Sequence, residues 1–543
     1  MEKHEEKVLL SGINKKVEFN LPDWNEYAKK QIKNSKLYKN AFKSDNTLRE
    51  TNKIMLAPTI TTNGWDTVSI CRVSALNSRI ESEKTYPAEI HQKDIESDLS
   101  LDGEFDPWQV VTGGDGKNVK INVPLKTGTF IGLPSGGTNE FDVSGCSVDI
   151  LIKLQYFPLN QDPVMPDGDY TLSVCTDSDS DKEPIAAVIN LHVPDTCNLS
   201  KANKDLLKGQ FDAWVNVPDN LAAFDTLFAT IMINNMGEQS EDFKWLRSTT
   251  TSYAYTDFGT DDTSIFGILC MTNGNDRTGL PNQLPAISLK SDENALFIIS
   301  REVYVKYQLL PALPKTFTEN DPSDFSVDKT GLTVDAKNVK LQPVEANGGT
   351  YYPVATKFQM TFCDTYIETL SHIECDVIAG VTSETVVITR QLLVMGKNEK
   401  GEKIMTYEML GDPEVSNSIK SDPGIIITDI ILALIAAIII GIATAICEPI
   451  VLAIVSIIVA IAVAVIDFTI RYIVETVMAS NLQEGIPAID PMVQIGSSQV
   501  KWPFCCEAGL DLTNIDYAGA LIFEGNLNLA EEYQIQNGRL ICA

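Results

Sequence analysis

The sequence predicts an α+β protein, predominantly antiparallel β, with an apolar helical hairpin near its C-terminus. Three observations carry this. Several segments alternate apolar and polar residues with a period of two, the mark of a strand with one covered face. Apolar residues at helical spacing precede two sets of these strands. Residues 424–480 then hold two runs that are almost wholly apolar.

Taken in order, residues 1–54 are rich in Lys and Asn and read as an N-terminal extension, either a tail or one short helix near Trp24–Lys33. A helix is expected over Trp65–Ile80, capped by Asn63 or Asp66. Trp65, Val68, Cys71, Ala75 and Leu76 would share one of its faces. Alternating strands follow at Val119–Val123, Val148–Tyr156 and Ile189–Val193, and Gly113-Gly114-Asp115-Gly116 reads as a hairpin turn. A second cycle opens near residue 295. It holds the short apolar run Phe297–Ile299 and a helix over Val303–Leu313 ended by Pro311 and Pro314. Strands are expected next at Phe358–Phe362, Val377–Val381 and Thr385–Val394. Helix-then-strands thus occurs twice, which suggests two lobes, 55–290 and 291–543, without a strict repeat between them. The chain closes in strands, with Leu521, Phe523, Leu527 and Leu529 in phase and a last strand over Tyr533–Cys542.

The apolar segment is the most unusual. Ile430–Cys447 and Ile450–Ile466 are separated by Glu448-Pro449 and bracketed by Asp429 and Asp467. Ala433, Ala437, Gly441 and Ala445 recur every four residues, and Ala453, Ser456, Ala460 and Ala464 make a second small-residue stripe. Such stripes let two helices approach closely. Each run falls at the short end of the ~20 residues that span a bilayer. Three readings stand open: a buried pair lining an apolar channel, a hairpin that inserts after a conformational change, and a constitutive membrane hairpin.

Composition narrows the function. With 543 residues, 44% hydrophobic and 21% charged, the chain is globular and long enough for several folding units. Its net charge of −30 repels nucleic acid, so nucleic-acid binding is excluded. The 11 cysteines form no C-x-x-C pair, which points to synthesis in a reducing cytoplasm. The charged start Met1–Lys7 has no apolar signal region, so release without a Sec signal, together with its partners, is expected.

No catalytic set emerges. His4, His91, His192 and His372 are far apart and show no zinc-hydrolase spacing. Gly113–Lys117 lacks the Walker pattern, since Asn118 follows the lysine and a strand comes next. Asp177, Asp179 and Asp181 recur as in a calcium loop, but Lys182 and Val188 stand where the EF-hand needs Gly and Glu. Cys146 precedes a strand with no assignable base and reads as structural. An enzyme is not expected, nor any cofactor or metal.

Several phrases in order carry a resemblance. They are Asn63-Gly64-Trp65-Asp66-Thr67-Val68 with Asn77, and Trp108–Gly114 before the Val119–Val123 strand and Lys126-Thr127-Gly128. Leu154-Gln155-Tyr156-Phe157, Phe243–Arg247, Ser252-Tyr253-Ala254 and Gly267–Thr272 follow. The series resembles the clostridial forty-seven-kilodalton protein and the OrfX proteins, encoded beside some botulinum-type and related insecticidal toxins and placed in the TULIP (tubular lipid-binding) superfamily. The resemblance implies elongated lobes in which long helices pack on highly curved antiparallel sheets around an apolar groove. It runs from about residue 55 to the C-terminus. The chain is longer than a forty-seven-kilodalton protein, in part through residues 1–54, and 424–480 is more uniformly apolar than a tunnel-lining helix needs.

The expected function is therefore non-enzymatic: binding of lipid or another apolar ligand by an accessory protein of a toxin cluster, with toxin or fellow cluster proteins as partners and membrane contact open. Two alternatives stand beside it, a membrane-inserting component using 430–466 and an assembly scaffold with a filled interior. The groove candidates are Trp65, Val68 and Leu76 in the first lobe and Val303, Tyr307 and Leu310 in the second. On the hairpin they are Ile431, Leu434, Ile438, Ile442, Leu452, Ile457 and Ile461.

Overall fold

The computed structural model describes residues 15–18, 59–425 and 496–542, apart from internal breaks of which 158–166, 177–184, 234–244 and 503–509 are the longest, together with Leu434 and Ile438. The helix expected at Trp24–Lys33, the acidic run Asp177–Asp181, Leu529 and nearly all of the apolar hairpin lie outside the described residues. Among those described, no helix is long and apolar enough to cross a membrane. The chain forms two compact units. One comprises Ile60–Ile298, Val493–Thr513 and Phe523–Ala543. The other comprises Met1–Thr59, Ile299–Met492 and Asn514–Ile522.

In the first of these units the chain opens on a strand where helical spacing predicts a helix. Thr67–Arg72 is β1, buried at every residue but the last, and α1 starts only at Val73 and ends at Glu83. Neither expected cap serves a helix. Asn63 sits at φ +55 and its amide donates to the Gln283 carbonyl at 3.1 Å. Asp66 Oδ2 accepts from the Thr272 N–H at 2.7 Å and from Asn275 Nδ2 at 2.9 Å. With both residues committed, β-branched Thr67, Val68 and Ile70 take the extended backbone they favour. They are buried on both faces between Ile265–Thr272 and Ala295–Ser300.

Alternation is a sounder guide farther on. Val119–Ser135, here β2, buries Val119, Ile121, Val123 and Leu125 in turn. It pairs with β3, Ser147–Ile152, setting Ile121 opposite Ile150 and Val123 opposite Val148. Gln109–Val110 pairs back on β2, so the glycine-rich stretch between them does turn the chain. β4, Ala186–His192, flanks β3, but a bulge between Val188 and Asn190 shifts its parity. Ala186 and Val188 fill the core, and Ile189 and Leu191 are only half-buried. Lys153 alone separates β3 from the strand Leu154–Phe157, yet the two belong to different sheets.

Helix α2, Lys201–Val215, was not foreseen. Ser200 caps it, its Oγ accepting from the Asn203 N–H at 3.2 Å. Its inward positions are Asn203, Leu207, Gln210, Phe211, Trp214 and Val215, and the two amides interrupt the apolar stripe that would reveal it. It packs on the sheet that holds β3, against β4, β2, Glu89–Asp94 and Leu99–Phe105. Beneath it Trp108, fully buried, touches Phe105 (5.5 Å between ring centroids), Phe224 (4.9 Å) and Trp214 (6.4 Å). Aromatic side chains fill this helix–sheet interior.

The outer face of the same sheet is held by one carboxylate. Asp149 on β3 accepts from Asn122 Nδ2 (2.9 Å) and Asn190 Nδ2 (3.1 Å), and it pairs with Lys120 Nζ and His192 Nε2 at 3.0 Å each. Burial raises its pKa, but the bonds from His192, Asn122, Asn190 and Lys120 outweigh that and hold it well below the usual carboxylate range. His192 is thus a half-exposed, hydrogen-bonded strand histidine.

On α1, buried Asn77 acts as a short piece of strand. Its Oδ1 accepts from the Val110 N–H at 2.8 Å and its Nδ2 donates to the Val110 carbonyl at 2.9 Å. Asn77→Ala leaves both groups buried without these bonds, and the expected loss is about 2–3 kcal/mol of unfolding free energy in urea titration. A loss under about 0.5 kcal/mol would show that Val110 finds other partners.

The other unit is a nine-stranded antiparallel sheet. Seven strands run in the order Lys15–Glu18, Glu414–Ser421, then β7 (Val381–Lys397), β6 (Ile367–Ile378) and β5 (Val354–Phe362), then Thr333–Ala336 and Phe325–Val327, while Val339–Lys340 also pairs with β5 and Lys403–Met409 with β7. Val377–Val381 is not a strand of its own. Ile378 faces Val381 across a tight hairpin whose turn uses Gly380 at φ +77. Tyr533–Cys542 likewise is two strands, Tyr533–Gln536 paired with Arg539–Cys542. The Asn537-Gly538 dipeptide between them is a hairpin signal that the reading of one strand passed over.

Three consecutive segments, Arg301–Tyr304, Val305–Leu309 and Leu310–Thr316, run on as helix α3, and neither proline ends it. Val305–Leu309 is a π turn in which the Leu310 N–H donates to the Val305 carbonyl. The widened turn makes room for the Pro311 ring, which in a regular helix would strike the carbonyl four residues back.

Candidate functional site

Residues opposite each other in antiparallel strands point to one face. Phe358 faces Ser371 and Met360 faces Thr369 between β5 and β6. Thr369 faces Thr389, Ile373 faces Thr385 and Cys375 faces Ser383 between β6 and β7. All of these are buried. The opposite face is charged and exposed. There Arg390 pairs with Glu368 (2.7 Å) and Glu414 (2.6 Å), and Lys420 bridges Glu374 and Glu384. A strand pattern with one wet face thus gives an amphipathic sheet, as the alternation predicts.

Helix α3 lies on the buried face. Tyr304 meets Phe362 edge-on at 5.8 Å between centroids, and Phe317, just past the helix, meets Phe358 at 5.3 Å. Tyr517 closes this end, its hydroxyl donating to the Cys363 carbonyl at 2.6 Å. Away from the aromatic end, the face changes character. Thr369, Ser371, Thr385, Thr389 and Gln391 take positions that valine or isoleucine would fill in an ordinary core, each no more than 2% exposed.

Their hydrogen bonding is incomplete. Gln391 Nε2 donates to Thr389 Oγ1 at 2.7 Å. Thr369 Oγ1, Ser371 Oγ, Thr385 Oγ1 and Gln391 Oε1 have no partner among the described residues, and neither does the Tyr304 hydroxyl. Each such buried group costs about 1–3 kcal/mol unless something satisfies it. This row was legible in principle: serines and threonines share the parity of the apolar residues in β6 and β7. Within one strand nothing marks it, because serine and threonine are ordinary strand residues.

The foreseen residues divide. Val303 is buried on α3, whereas Tyr307 and Leu310 are half-buried, with Lys306 Nζ 4.8 Å from the Tyr307 ring centroid. Leu434 and Ile438 are helical, half-buried and buried in turn, and Ile431, Ile442, Leu452, Ile457 and Ile461 lie outside the described residues. Trp65, Val68 and Leu76 belong to the other unit and do not share one helical face, because Trp65 precedes β1, Val68 lies in it and Leu76 lies on α1. All three are about 1% exposed or less, and Trp65 Nε1 donates to the Pro281 carbonyl at 2.8 Å. They are core.

Burial pushes the Cys375 thiol up to about 11 and the Tyr304 hydroxyl well above its ordinary value, so both stay protonated at neutral pH. Among the described residues no group of three or more His, Cys, Asp or Glu side chains is placed to hold a metal ion.

Comparison with known proteins adds the lineage. A family model described as OrfX-like, Protein OrfX2/OrfX3/P47, matches residues 62–525. Protein OrfX3 of Paraclostridium bifermentans is 27% identical over 403 residues, 69% of this chain and 80% of that one. Protein OrfX3 of Clostridium botulinum (strain Kyoto / Type A2) is 26% identical over 518 residues, 88% of this chain and 99% of that one. Among solved structures, P47 from Clostridium botulinum A2 superposes with a TM-score of 0.60 at 17% identity, over 86% of this chain and 98% of that one. P47 of Clostridium botulinum E1 gives 0.59 at 17% identity, over 86% and 100%. The antiparallel β-rich fold is shared with these structures.

Proposed function

Because this chain belongs to the OrfX-like family, we propose that it is a non-enzymatic accessory protein of a bacterial toxin cluster that binds lipid or a similar amphiphile, in the manner of TULIP proteins. It acts outside the cell that makes it, beside a toxin or fellow cluster proteins, and assists their stability or delivery. One observation supports the ligand most. The covered face of β5–β7 sets apolar Phe358, Met360 and Ile373 beside hydroxyl and amide groups that no described residue hydrogen-bonds. A purely hydrocarbon ligand would leave those groups unbonded too. A molecule with both chains and ester or hydroxyl oxygens would satisfy both parts.

The test joins lipid extraction and mass spectrometry to substitution. Purified protein, or protein incubated with mixed phospholipid vesicles, is expected to carry lipid in stoichiometric amount. Thr369→Val with Thr385→Val removes two unsatisfied hydroxyls at almost constant volume. The double variant should unfold at equal or higher denaturant, by about 1 kcal/mol, and hold at least tenfold less lipid. Wild-type protein that stays free of lipid after incubation would overturn the reading. The aromatic filling around Trp108 supports a different part for the other unit, that of a rigid body on which partner proteins assemble.

A further inference from the structure

Cys146 and Cys197 are 51 residues apart in the chain, and their sulfurs lie 3.7 Å apart. We propose that the two form a disulfide site, open while the chain is in a reducing cytoplasm and closed once it meets an oxidising medium. This inference does not depend on the ligand reading above.

Two turns bring the thiols together. Pairing of β4 on β3 ends with His192 opposite Ser147, so the chain leaving β4 passes beside the chain entering β3. Cys146 sits in the turn before β3. Its N–H donates to the Val143 carbonyl at 3.1 Å, and its own carbonyl accepts from the Leu125 N–H at 2.8 Å. Gly145 at φ +77 lets that turn fold back, and a Cβ on it would stand 3.6 Å from Pro194. The Cys197 sulfur also lies 3.9 Å from the Ser144 carbonyl, so the two turns already touch. Cys197 ends the short helical turn Asp195–Cys197 just ahead of α2, with its N–H donating to the Pro194 carbonyl at 3.0 Å. Both backbones are fixed by bonds of their own. Closing from 3.7 Å to the roughly 2.05 Å of a disulfide asks for side-chain rotation and a small approach of the two turns.

The chemistry balances with a small disulfide such as oxidised glutathione. Cys146 is fully buried and Cys197 is 8% exposed, so the reagent reaches Cys197. The Cys197 thiolate attacks one glutathione sulfur and expels a glutathione thiolate. Cys146 then attacks the Cys197 sulfur and expels the second. Two protein thiols are oxidised, one reagent disulfide is reduced, and both protons end on the released glutathione. Burial, with Cys197 beside it, pushes the Cys146 thiol up to about 12, so the second step is slow at neutral pH. The finished bond would tie the start of α2 to the turn that enters β3, clamping the helix to its sheet.

The experiment uses the full chain. Folded protein is incubated with oxidised glutathione, free thiols are alkylated, and the digest is read by mass spectrometry without reduction. The expected result is a linked peptide pair containing Cys146 and Cys197, and a thermal midpoint several degrees above that of the reduced protein. Cys197→Ala should lose both the linked pair and the oxidation-dependent rise. If that variant fails to fold, the wild-type peptide map decides alone. Recovery of both cysteines alkylated, as separate glutathione adducts, or joined to other cysteines in protein that stays folded overturns the proposal.

Discussion

Trp108→Ala should cost about 3–5 kcal/mol of unfolding free energy, the range for deleting a buried aromatic ring. The side chain is fully buried and touches three other rings, Phe224 nearest at 4.9 Å between centroids. Its removal leaves a cavity among rigid neighbours, which relax poorly into the space. The indole N–H has no hydrogen-bond partner among the described residues, so the expected loss is one of packing. Trp108→Phe should accordingly cost much less, about 1–2 kcal/mol. Guanidinium titration of both variants separates the cases. Equal losses would mean that the indole is anchored in a way the ring contacts do not capture, and a loss under about 1 kcal/mol for alanine would mean a loosely packed interior.

Asp149→Ala should be comparably severe, about 3–5 kcal/mol, because it strips Lys120 of its nearly buried partner. Lys120, two amides and the more exposed His192 converge on the carboxylate. The pH dependence has a definite sign. The carboxyl's pKa is lower in the folded chain than the ~3.9 of an unfolded aspartate. Its contribution is therefore complete above about pH 4–5 and falls away as pH drops through the lower folded value. Wild-type protein should lose stability steeply in that acid window, and Asp149→Asn should show a shallower fall there. Parallel curves for the two proteins between pH 2 and 5 would remove Asp149 as the cause.

The strands were the most legible part of this fold. Val119–Val123 and Phe358–Phe362 alternate because one face meets a core and the other meets water, and that contrast is written in the residues themselves. Helices were harder. Thr67–Arg72 mimicked a helical face because it is buried on both sides, so periodicity carried no information there, and only its β-branched residues argued for a strand. Helix α2 was hidden for the opposite reason. Asn203 and Gln210 point inward, and Asn203 earns its burial by bonding the Leu133 backbone at 2.9 and 3.0 Å. Pro311 and Pro314 misled because a π turn can absorb what a regular helix cannot. Val303, Tyr307 and Leu310 do lie on α3, as the helical spacing predicts. The hydroxyl row was not foreseen, since threonine in a strand is unremarkable until the partner strand places a second one beside it.

One residue, Lys153, stands between β3 and the next strand, and it imposes a rule on how this chain can change over time. Ile150, Ile152 and Leu154 are buried on the same parity although the sheet changes between the last two. An insertion or deletion of a single residue at Lys153 would turn Leu154 out of the core that it fills. The stretch 147–157 is therefore fixed in length even where its side chains are free to drift. At the Gly136-Gly137 turn, by contrast, an added Cβ meets nothing within 4 Å, so length is free to vary. Recombined chains spliced at that turn should keep both sheets in phase, and chains spliced out of step near Lys153 should not fold.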